Sequence, residues 1–264
     1  MRKLIVGNLK MNLLSPQERD RYLIWMDKEL KNKSSQGGSA RGGKLKNSEI
    51  VLCPSFVHLE AFKKWNNKKI SLGAQNMFPE DKGSYTGEIS PVMLKSLGCE
   101  YVIIGHSERK RYFSESNHEI NLKLISALKN GLKPILCVGE SRVEKENHET
   151  LKVITKQTKE ALANVKRAKA EQINIAYEPI WAVGTDIVPA SNEIMEARLL
   201  IRKILVEMFG KKYAEMVRIL YGGSVSPKLV GQTCIDPGMD GALIGRESLQ
   251  PHGFVKTAEI INAS

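Results

Sequence analysis

Five polar residues that could take part in acid–base chemistry follow short apolar runs of the sequence. Asn8 and Lys10 come after the first run, His106 and Glu108 after the fourth, and Glu178 after the sixth. Taken singly, each of these residue types is usually structural, as a turn boundary or a hydrogen-bonded side chain. Their shared position predicts a common site, because the carboxyl ends of parallel strands in a barrel meet at one face.

These residue types suit the transfer of a proton from a carbon beside a carbonyl group. Such a transfer needs a base near the carbon and a group that stabilises the developing oxyanion. Glu178 can be the base, and the apolar residues of Pro179-Ile180-Trp181 that follow it can shield its carboxylate from water. His106 can donate a hydrogen bond to enediolate oxygens, and Lys10 supplies a fixed positive charge.

Glycine-rich turns follow the last two apolar runs. Gly222-Gly223-Ser224 comes after the seventh run and Gly245 after the eighth, while Gly184 lies in the loop after the sixth. Paired glycines are most often only turns. In barrel enzymes, however, the loops after the seventh and eighth strands commonly bind phosphate, and glycine lets an anion approach the backbone closely. We therefore expect the backbone N–H groups at Gly184, Ser224 and Gly245 to bind a phosphate dianion.

Eight short apolar runs must position these residues. Runs of this kind are typical of strands that are buried on both faces of a parallel sheet. The runs are 4–6, 50–53, 70–74, 101–104, 134–138, 173–177, 218–221 and 241–244.

The segments between the runs carry helix signals. Ser15-Pro16-Gln17-Glu18 and Ser116-Asn117-His118-Glu119 read as capping boxes, and Asn130-Gly131 ends the helix that the second box begins. Trp25 and Trp65 are expected to pack within their helices. Apolar stripes indicate the buried helix faces at Leu23, Met26, Leu30, Ile120, Leu124, Leu128, Ile194, Ala197, Ile201, Ile204 and Met208.

Eight successive strand–helix units fit two architectures, an open doubly wound sheet or a closed barrel. No GxGxxG motif follows the first run, which disfavours a dinucleotide-binding sheet. We therefore predict an α/β fold that forms one (β/α)₈ barrel domain over residues 1–264.

One segment interrupts the repeating pattern. Residues 31–46, KNKSSQGGSARGGKLK, contain five basic residues, four glycines and three serines but no acidic residue. This composition cannot bury enough apolar surface to order the backbone, so we expect a flexible basic insertion. Its position before the second strand places it on the face opposite the catalytic ends.

Composition excludes several classes of protein. The chain has 264 residues, of which 42% are hydrophobic, and its four cysteines form no CxxC pair. We expect reduced thiols and a cytoplasmic protein, with neither a secretion signal nor a membrane span. The net charge of +11 fits a solvated basic surface or an anionic ligand. No nucleic-acid-binding motif accompanies it, so no nucleic acid partner is expected.

Motifs along nearly the whole chain resemble the triosephosphate isomerase family. They occur in the order found in that family, apart from residues 31–46, and AYEPIWAVGT and GHSER are the most specific of them. The motifs are GNLKMN at 7–12, AQN at 74–76, TGEIS at 86–90, GHSER at 105–109, PILCVGE at 134–140, AYEPIWAVGT at 176–185, YGGSV at 221–225 and DGALIG at 240–245.

The resemblance implies a triose phosphate substrate and a role for each matched residue. Glu178 would move the proton, and His106 would act as a neutral electrophile. Asn8 and Lys10 would bind the substrate, with the carboxylate of Glu108 near the lysine. The phosphate would lie on Gly184, Ser224, Gly245 and the amide of Arg246. Residues 179–185 would form a mobile lid loop, and Thr86 would reach into the neighbouring subunit of a homodimer. The resemblance implies no metal and no cofactor.

Three residues depart from the family pattern. Leu9 stands where tryptophan is frequent, and Asp186 replaces a glycine at the end of the lid loop. Arg246 takes the second position of a usual Gly-Gly pair, where a positive φ would cost roughly 1 kcal/mol or more.

Two other functions fit parts of these observations. A sugar-phosphate epimerase would share the barrel and the phosphate site, but it would need different catalytic residues and often a metal. A binding protein could keep the barrel and use the basic insertion to hold a polyanion. The presence of Lys10, His106 and Glu178 together favours the isomerase.

Overall fold

Eight parallel strands form a closed barrel in a computed structural model that describes residues 1–32, 45–185 and 187–264. Each strand pairs with the next in the sequence, and the barrel closes where Leu4 of the first strand pairs with Gly241 of the last. The predicted (β/α)₈ barrel is confirmed, with a strand at each of the eight apolar runs. The strands are β1 Lys3–Asn8, β2 Ser48–Cys53, β3 Ile70–Ala74, β4 Tyr101–Ile104, β5 Lys133–Val138, β6 Asn174–Tyr177, β7 Arg218–Tyr221 and β8 Gly241–Ile244.

Helices surround the barrel between the strands. Their bounds are α1 Pro16–Asn32, α2 Leu59–Trp65, α3 Pro91–Ser96, α4 Ser107–Phe113, α5 Asn117–Lys129, α6 Arg142–Glu146, α7 Thr150–Ala161, α8 Ser191–Phe209, α9 Lys211–Ala214 and α10 Pro251–Ala263. None of the described helices is long and apolar enough to cross a membrane.

Alternation along the strands divides the apolar core into two layers. Leu4 and Val6 of β1 belong to a cluster inside the barrel, whereas Ile5 packs in the outer layer between strands and helices. Successive side chains of a strand point to opposite faces, so strands that are apolar throughout fill both layers at once.

The helix starts follow the predicted capping chemistry in most details. Ser116 and Glu119 form the reciprocal box at the start of α5, and Gly131 has a φ of +70° just after its end. At the start of α1 the Ser15 hydroxyl accepts from the Glu18 amide. The Glu18 carboxylate, however, accepts from the Leu14 amide at 2.8 Å, one residue before the predicted partner.

The predicted apolar stripes are buried except at one position. Met208 of α8 is only partly buried, although it packs against the core. Trp25 of α1 is 51% exposed, so the expectation that it packs within its helix is wrong. Trp65 does pack, with its ring centroid 6.2 Å from that of Phe62. Most of the basic insertion 31–46 lies outside the described residues.

A polar network closes the barrel at the amino ends of the strands. The Tyr101 hydroxyl donates to Glu49 Oε1 at 2.5 Å, and Arg218 Nη1 lies 2.9 Å from Glu49 Oε2. Burial alone would raise the pKa of Glu49, but the hydrogen bonds from Tyr101 and Arg218 and the charge of Lys133 outweigh it and lower that pKa. Because the network lies at the end of the barrel opposite the predicted site, its role is to stabilise the fold and not to take part in the reaction.

Replacing Tyr101 with phenylalanine should lower the free energy of unfolding by about 1–3 kcal/mol, because a partly buried carboxylate loses a hydrogen bond. The folded state holds the pKa of Glu49 below the ordinary glutamate value of 4.5. The stabilisation of the fold by the ionised Glu49 is therefore present above pH 4.5 and is lost as the pH falls through the lower pKa of the folded state. The difference between wild type and Tyr101→Phe in the free energy of unfolding, measured with urea, should accordingly become smaller below pH 4.5.

The matched control is Tyr213→Phe, because the Tyr213 ring contacts Lys212 and its hydroxyl bonds to no other described residue. This variant should change stability by less than about 0.5 kcal/mol at any pH. Equal stability of Tyr101→Phe and Tyr213→Phe at neutral pH would contradict the role given to the network.

Candidate active site

A cavity of about 500 Å³ opens at the carboxyl ends of the strands. With one exception the predicted site residues all line it, although they come from five different strand ends. The exception is Glu108, which reaches the site through its contact with Lys10. The predicted residues in the lining are Asn8, Lys10, His106, Glu178, Gly184, Ser224, Gly245 and Arg246.

Lys10 is fixed by the loop that follows β1. Its φ of 52° is in the left-handed region, which costs a lysine about 1 kcal/mol or more. The Asn8 side chain accepts a hydrogen bond from the Lys10 amide at 3.1 Å. The carbonyl oxygen of Lys10 accepts from Ser55 at 2.9 Å and from Gln75 at 2.8 Å. Lys10 Nζ then lies 2.6 Å from Glu108 Oε1. Two neighbouring loops therefore hold the ammonium group in the cavity.

His106 lies at the start of α4, where its own ring caps the helix. Its Nδ1 accepts a hydrogen bond from the Glu108 amide at 3.2 Å. Because an accepting nitrogen carries no proton, the proton of the neutral ring is on Nε2. That Nε2 lies 3.4 Å from Glu178 Oε1. The helix start thus turns the only N–H of the ring toward the carboxylate and the cavity.

Glu178 is buried, with only 2% of its surface exposed. Its Oε2 accepts from the Ser107 amide at 3.1 Å, whereas Oε1 has no hydrogen-bond partner within the described residues. Two glycines make room for it. A Cβ on Gly139 would lie 1.9 Å from the Glu178 carbonyl oxygen, and one on Gly222 would lie 2.6 Å from its Cγ. Both glycines are required by this close packing.

The glycine-rich turns and the lid loop meet at one end of the cavity. Ser224 Oγ lies 2.9 Å from the carbonyl oxygens of both Ala182 and Thr185. Gly184, between them, has a φ of +71°, which favours glycine. The amides of Gly184, Ser224 and Gly245 make no backbone hydrogen bond to any described residue. These N–H groups are therefore free to bind an anion.

Glu140 supports the lid loop from outside the cavity lining, and the sequence did not indicate it as functional. It is 1% exposed, and its carboxylate accepts from Trp181 Nε1 at 2.8 Å and from the Tyr177 hydroxyl at 3.2 Å. Burial raises the pKa of Glu140, which these hydrogen bonds oppose. Lys145 Nζ lies 4.1 Å from the Trp181 ring centroid. The start of the lid loop is thus anchored to the end of β5. The PILCVGE motif contains Glu140 but does not indicate this contact.

The three departures from the family pattern have different outcomes. Leu9 is fully buried in the core. Arg246 begins a 3₁₀ turn and is not among the residues with positive φ, so the strain that a positive φ would cause does not arise. Its Nη2 donates to the Gly184 carbonyl oxygen at 2.8 Å. Asp186 lies outside the described residues.

Comparison with known proteins identifies a family for this chain. The family model for triosephosphate isomerase matches residues 3–263. The triosephosphate isomerase of Dictyoglomus thermophilum is 50% identical over 207 residues, which cover 78% of this chain and 83% of that protein. The one from Moorella thermoacetica is 42% identical over 262 residues, covering 99% of this chain and 98% of its own. The triosephosphate isomerase of Chloroflexus aurantiacus is 44% identical over 217 residues, which cover 81% of this chain and 86% of that protein.

The match over nearly the full length agrees with a barrel whose strand ends gather a carboxylate, an imidazole, an ammonium group and free backbone amides in one cavity. The chain therefore belongs to the triosephosphate isomerase family.

Proposed function

We infer that the chain interconverts D-glyceraldehyde 3-phosphate and dihydroxyacetone phosphate through an enediolate, as part of glycolysis and gluconeogenesis. The observation that carries this inference is the geometry of Glu178. Its buried carboxylate has one oxygen without a partner among the described residues, and that oxygen lies 3.4 Å from His106 Nε2. A base and an N–H donor side by side are what a proton shift next to a carbonyl needs.

We propose that Glu178 removes a proton from the carbon beside the carbonyl and returns it to the neighbouring carbon. The electron pair of the broken C–H bond forms the C=C bond of the enediolate, and the carbonyl oxygen takes the negative charge. The hydroxyl proton of the enediolate passes to the former carbonyl oxygen, and Glu178 returns the first proton to the former carbonyl carbon. The other oxygen then becomes the carbonyl oxygen of the product. No electron is gained or lost in the cycle, so the reaction needs no redox cofactor.

His106 and Lys10 are proposed to stabilise the charge on the oxygens. His106 Nε2–H can donate to an enediolate oxygen because Nδ1 is occupied by the Glu108 amide. Lys10 brings a positive charge that Glu108 holds in place at 2.6 Å. The Asn8 side chain fixes the Lys10 backbone, so both residues position the ammonium group for the substrate. Preorganised charges of this kind need no rearrangement during the reaction.

The phosphate is proposed to bind at one end of the cavity, which is formed by Gly184, Ser224, Gly245 and Arg246 and is called the phosphate end below. The free amides of the first three residues and the amide of Arg246 point to an anion-binding role for this end. Binding there would place the carbonyl carbons between the phosphate end and Glu178, since all of these residues line one cavity.

The test is turnover of glyceraldehyde 3-phosphate by the purified protein, compared with turnover of a pentulose 5-phosphate in the presence and absence of divalent metal. We expect rapid isomerisation of the triose phosphate that is insensitive to a chelator. Activity on the pentulose phosphate alone would identify an epimerase and overturn the proposal.

We further propose that two copies of the chain form a homodimer through the loop around Thr86. Thr86 is exposed, and four large apolar side chains on the loops after β1, β2 and β3 are exposed as well. We infer that they form one apolar patch, made of Met11 at 88%, Leu14 at 83%, Val57 at 82% and Tyr85 at 46% exposure. Hydrogen bonds from Ser55 and Gln75 to the Lys10 carbonyl oxygen tie the three loops together. Contiguous exposed apolar surface is typical of protein interfaces.

Val57→Glu should dissociate this dimer, because association would bury a carboxylate without a partner. We expect the dissociation constant from sedimentation equilibrium to rise on the order of 100-fold, matching a penalty of about 3 kcal/mol. Val143→Glu is the control, since Val143 is 65% exposed on α6, far along the chain from the patch. A dimer equally stable in both variants would refute the proposed interface.

Cytoplasmic location is also a proposal. It is supported by the four cysteines, which are all buried and unpaired. Free thiols persist in reducing compartments, where disulfides are rare.

A further inference from the structure

The Arg246 side chain connects the end of β8 with the lid loop. Arg246 begins the 3₁₀ turn that follows β8, and its Nη2 donates to the Gly184 carbonyl oxygen at 2.8 Å. Both residues line the cavity. The phosphate site proposed above uses only their backbone amides, so it leaves the guanidinium group without a role.

Two described residues with cationic side chains line the cavity, and only Lys10 forms an ion pair with another described residue. Lys10 Nζ is 2.6 Å from the Glu108 carboxylate. Arg246 bonds to a neutral carbonyl oxygen and forms no ion pair with a carboxylate of the described chain. The adjacent Glu247 also lines the cavity, but its carboxylate lies against the start of α10, where a Cβ on Gly253 would come within 1.7 Å of its Oε1. Among the described residues, the Arg246 guanidinium at the phosphate end therefore has no carboxylate partner.

The chemistry of this group fits a phosphate dianion. A guanidinium group is always charged and carries five N–H donors in a planar fork that matches phosphate oxygens. The contact with Gly184 uses one donor, which leaves the others for a ligand. The side chain of Arg246 is exposed to the cavity opening, so no buried contact has to break before it turns toward a ligand.

We propose that the Arg246 guanidinium binds the phosphate group of the substrate directly and makes the site selective for phosphorylated over unphosphorylated carbonyl compounds. One N–H remains on the Gly184 carbonyl oxygen while others donate to the phosphate oxygens. A single side chain then holds both the lid loop and the anion. The inference rests on the proposed function, because it requires a phosphate-bearing substrate.

The experiment compares Arg246→Gln and Arg246→Lys with wild type in two measurements. Calorimetric titration gives the dissociation constant of inorganic phosphate, and kinetics give the ratio of kcat/KM for glyceraldehyde 3-phosphate to that for glyceraldehyde. In Arg246→Gln we expect the dissociation constant to rise, and the ratio to fall, by about 10- to 100-fold, as for the loss of charge-assisted hydrogen bonds. Arg246→Lys should lose less, because lysine keeps the charge without the planar fork.

Lys203→Gln is the matched control, since it removes one positive charge from an exposed position on α8. It should leave both measurements unchanged. An unaltered phosphate dissociation constant in Arg246→Gln, or an equal loss on both substrates, would overturn the inference in favour of a purely structural contact with the lid loop. Absence of turnover in the wild type would overturn the proposed function instead, while the calorimetric test of Arg246 would still decide the inference.

Discussion

Glu178→Gln is expected to lower kcat by at least about 100-fold, the usual effect of removing a general base. Glutamine keeps the size and the acceptor oxygen of the side chain, so it can still accept from the Ser107 amide. It cannot take a proton from carbon, because its amide nitrogen is not basic. The binding of inorganic phosphate, measured by calorimetry, should change by less than about threefold, since the polar contacts of the Glu178 carboxylate go to Ser107 and His106 and not to the phosphate end.

Two controls separate this effect from a folding defect. Glu196→Gln makes the same chemical change at an exposed position of α8 and should keep full activity. Thermal unfolding of Glu178→Gln should show a cooperative transition like that of the wild type. A pure, folded Glu178→Gln protein with near-normal kcat would show that another group moves the proton.

The architecture could be predicted because each strand coincides with a short apolar run that is visible in its own part of the sequence. The run 101–104 and its counterparts are mostly apolar, and the structure has a strand at every one of them. Closure of the sheet into a barrel could not be inferred from any single run. The absence of a GxGxxG motif after the first run favoured the barrel over an open doubly wound sheet. The boundaries were off by one or two residues where polar residues such as Ser48 and Lys133 extend a strand beyond its apolar run.

The site could be predicted at the level of residues but not of contacts. Lys10 and His106 follow their strands, so topology alone brings them together. The left-handed backbone of Lys10 depends instead on carbonyl contacts with Ser55 and Gln75, which are 45 and 65 residues away. No pattern near Lys10 indicates such distant partners.

Two other features depend on the same kind of distant contact. The carboxylate of Glu140 anchors Trp181, 41 residues further along the chain. Arg218 reaches Glu49 across 169 residues to close the opposite end of the barrel. Trp25 shows the converse, since an apolar residue in an amphipathic helix was expected to pack and is half exposed. Periodicity assigns a face to a residue only approximately, and α1 places this one beyond the edge of its buried stripe.

Gly222→Ala should lower kcat by about 100-fold although the residue carries no reactive group. The added Cβ would lie 2.6 Å from Glu178 Cγ, so the Glu178 side chain must move. A shift on the order of 1 Å at a catalytic group can cost about 100-fold in rate. The backbone of Gly222 has no positive φ, so alanine fits its conformation and the strain falls on Glu178. Steady-state kinetics with glyceraldehyde 3-phosphate measure the loss.

Gly231→Ala is the matched control, because a Cβ there meets no atom within 4 Å. It should keep kcat within about twofold of wild type, a difference of less than 0.5 kcal/mol in barrier height. Overpacking at Gly222 should also cost about 1–3 kcal/mol of stability, so both variants are assayed well below their unfolding transitions. If Gly222→Ala is folded and as active as Gly231→Ala, the position of the Glu178 carboxylate does not limit the reaction. The close packing around Glu178 would then serve the barrel alone.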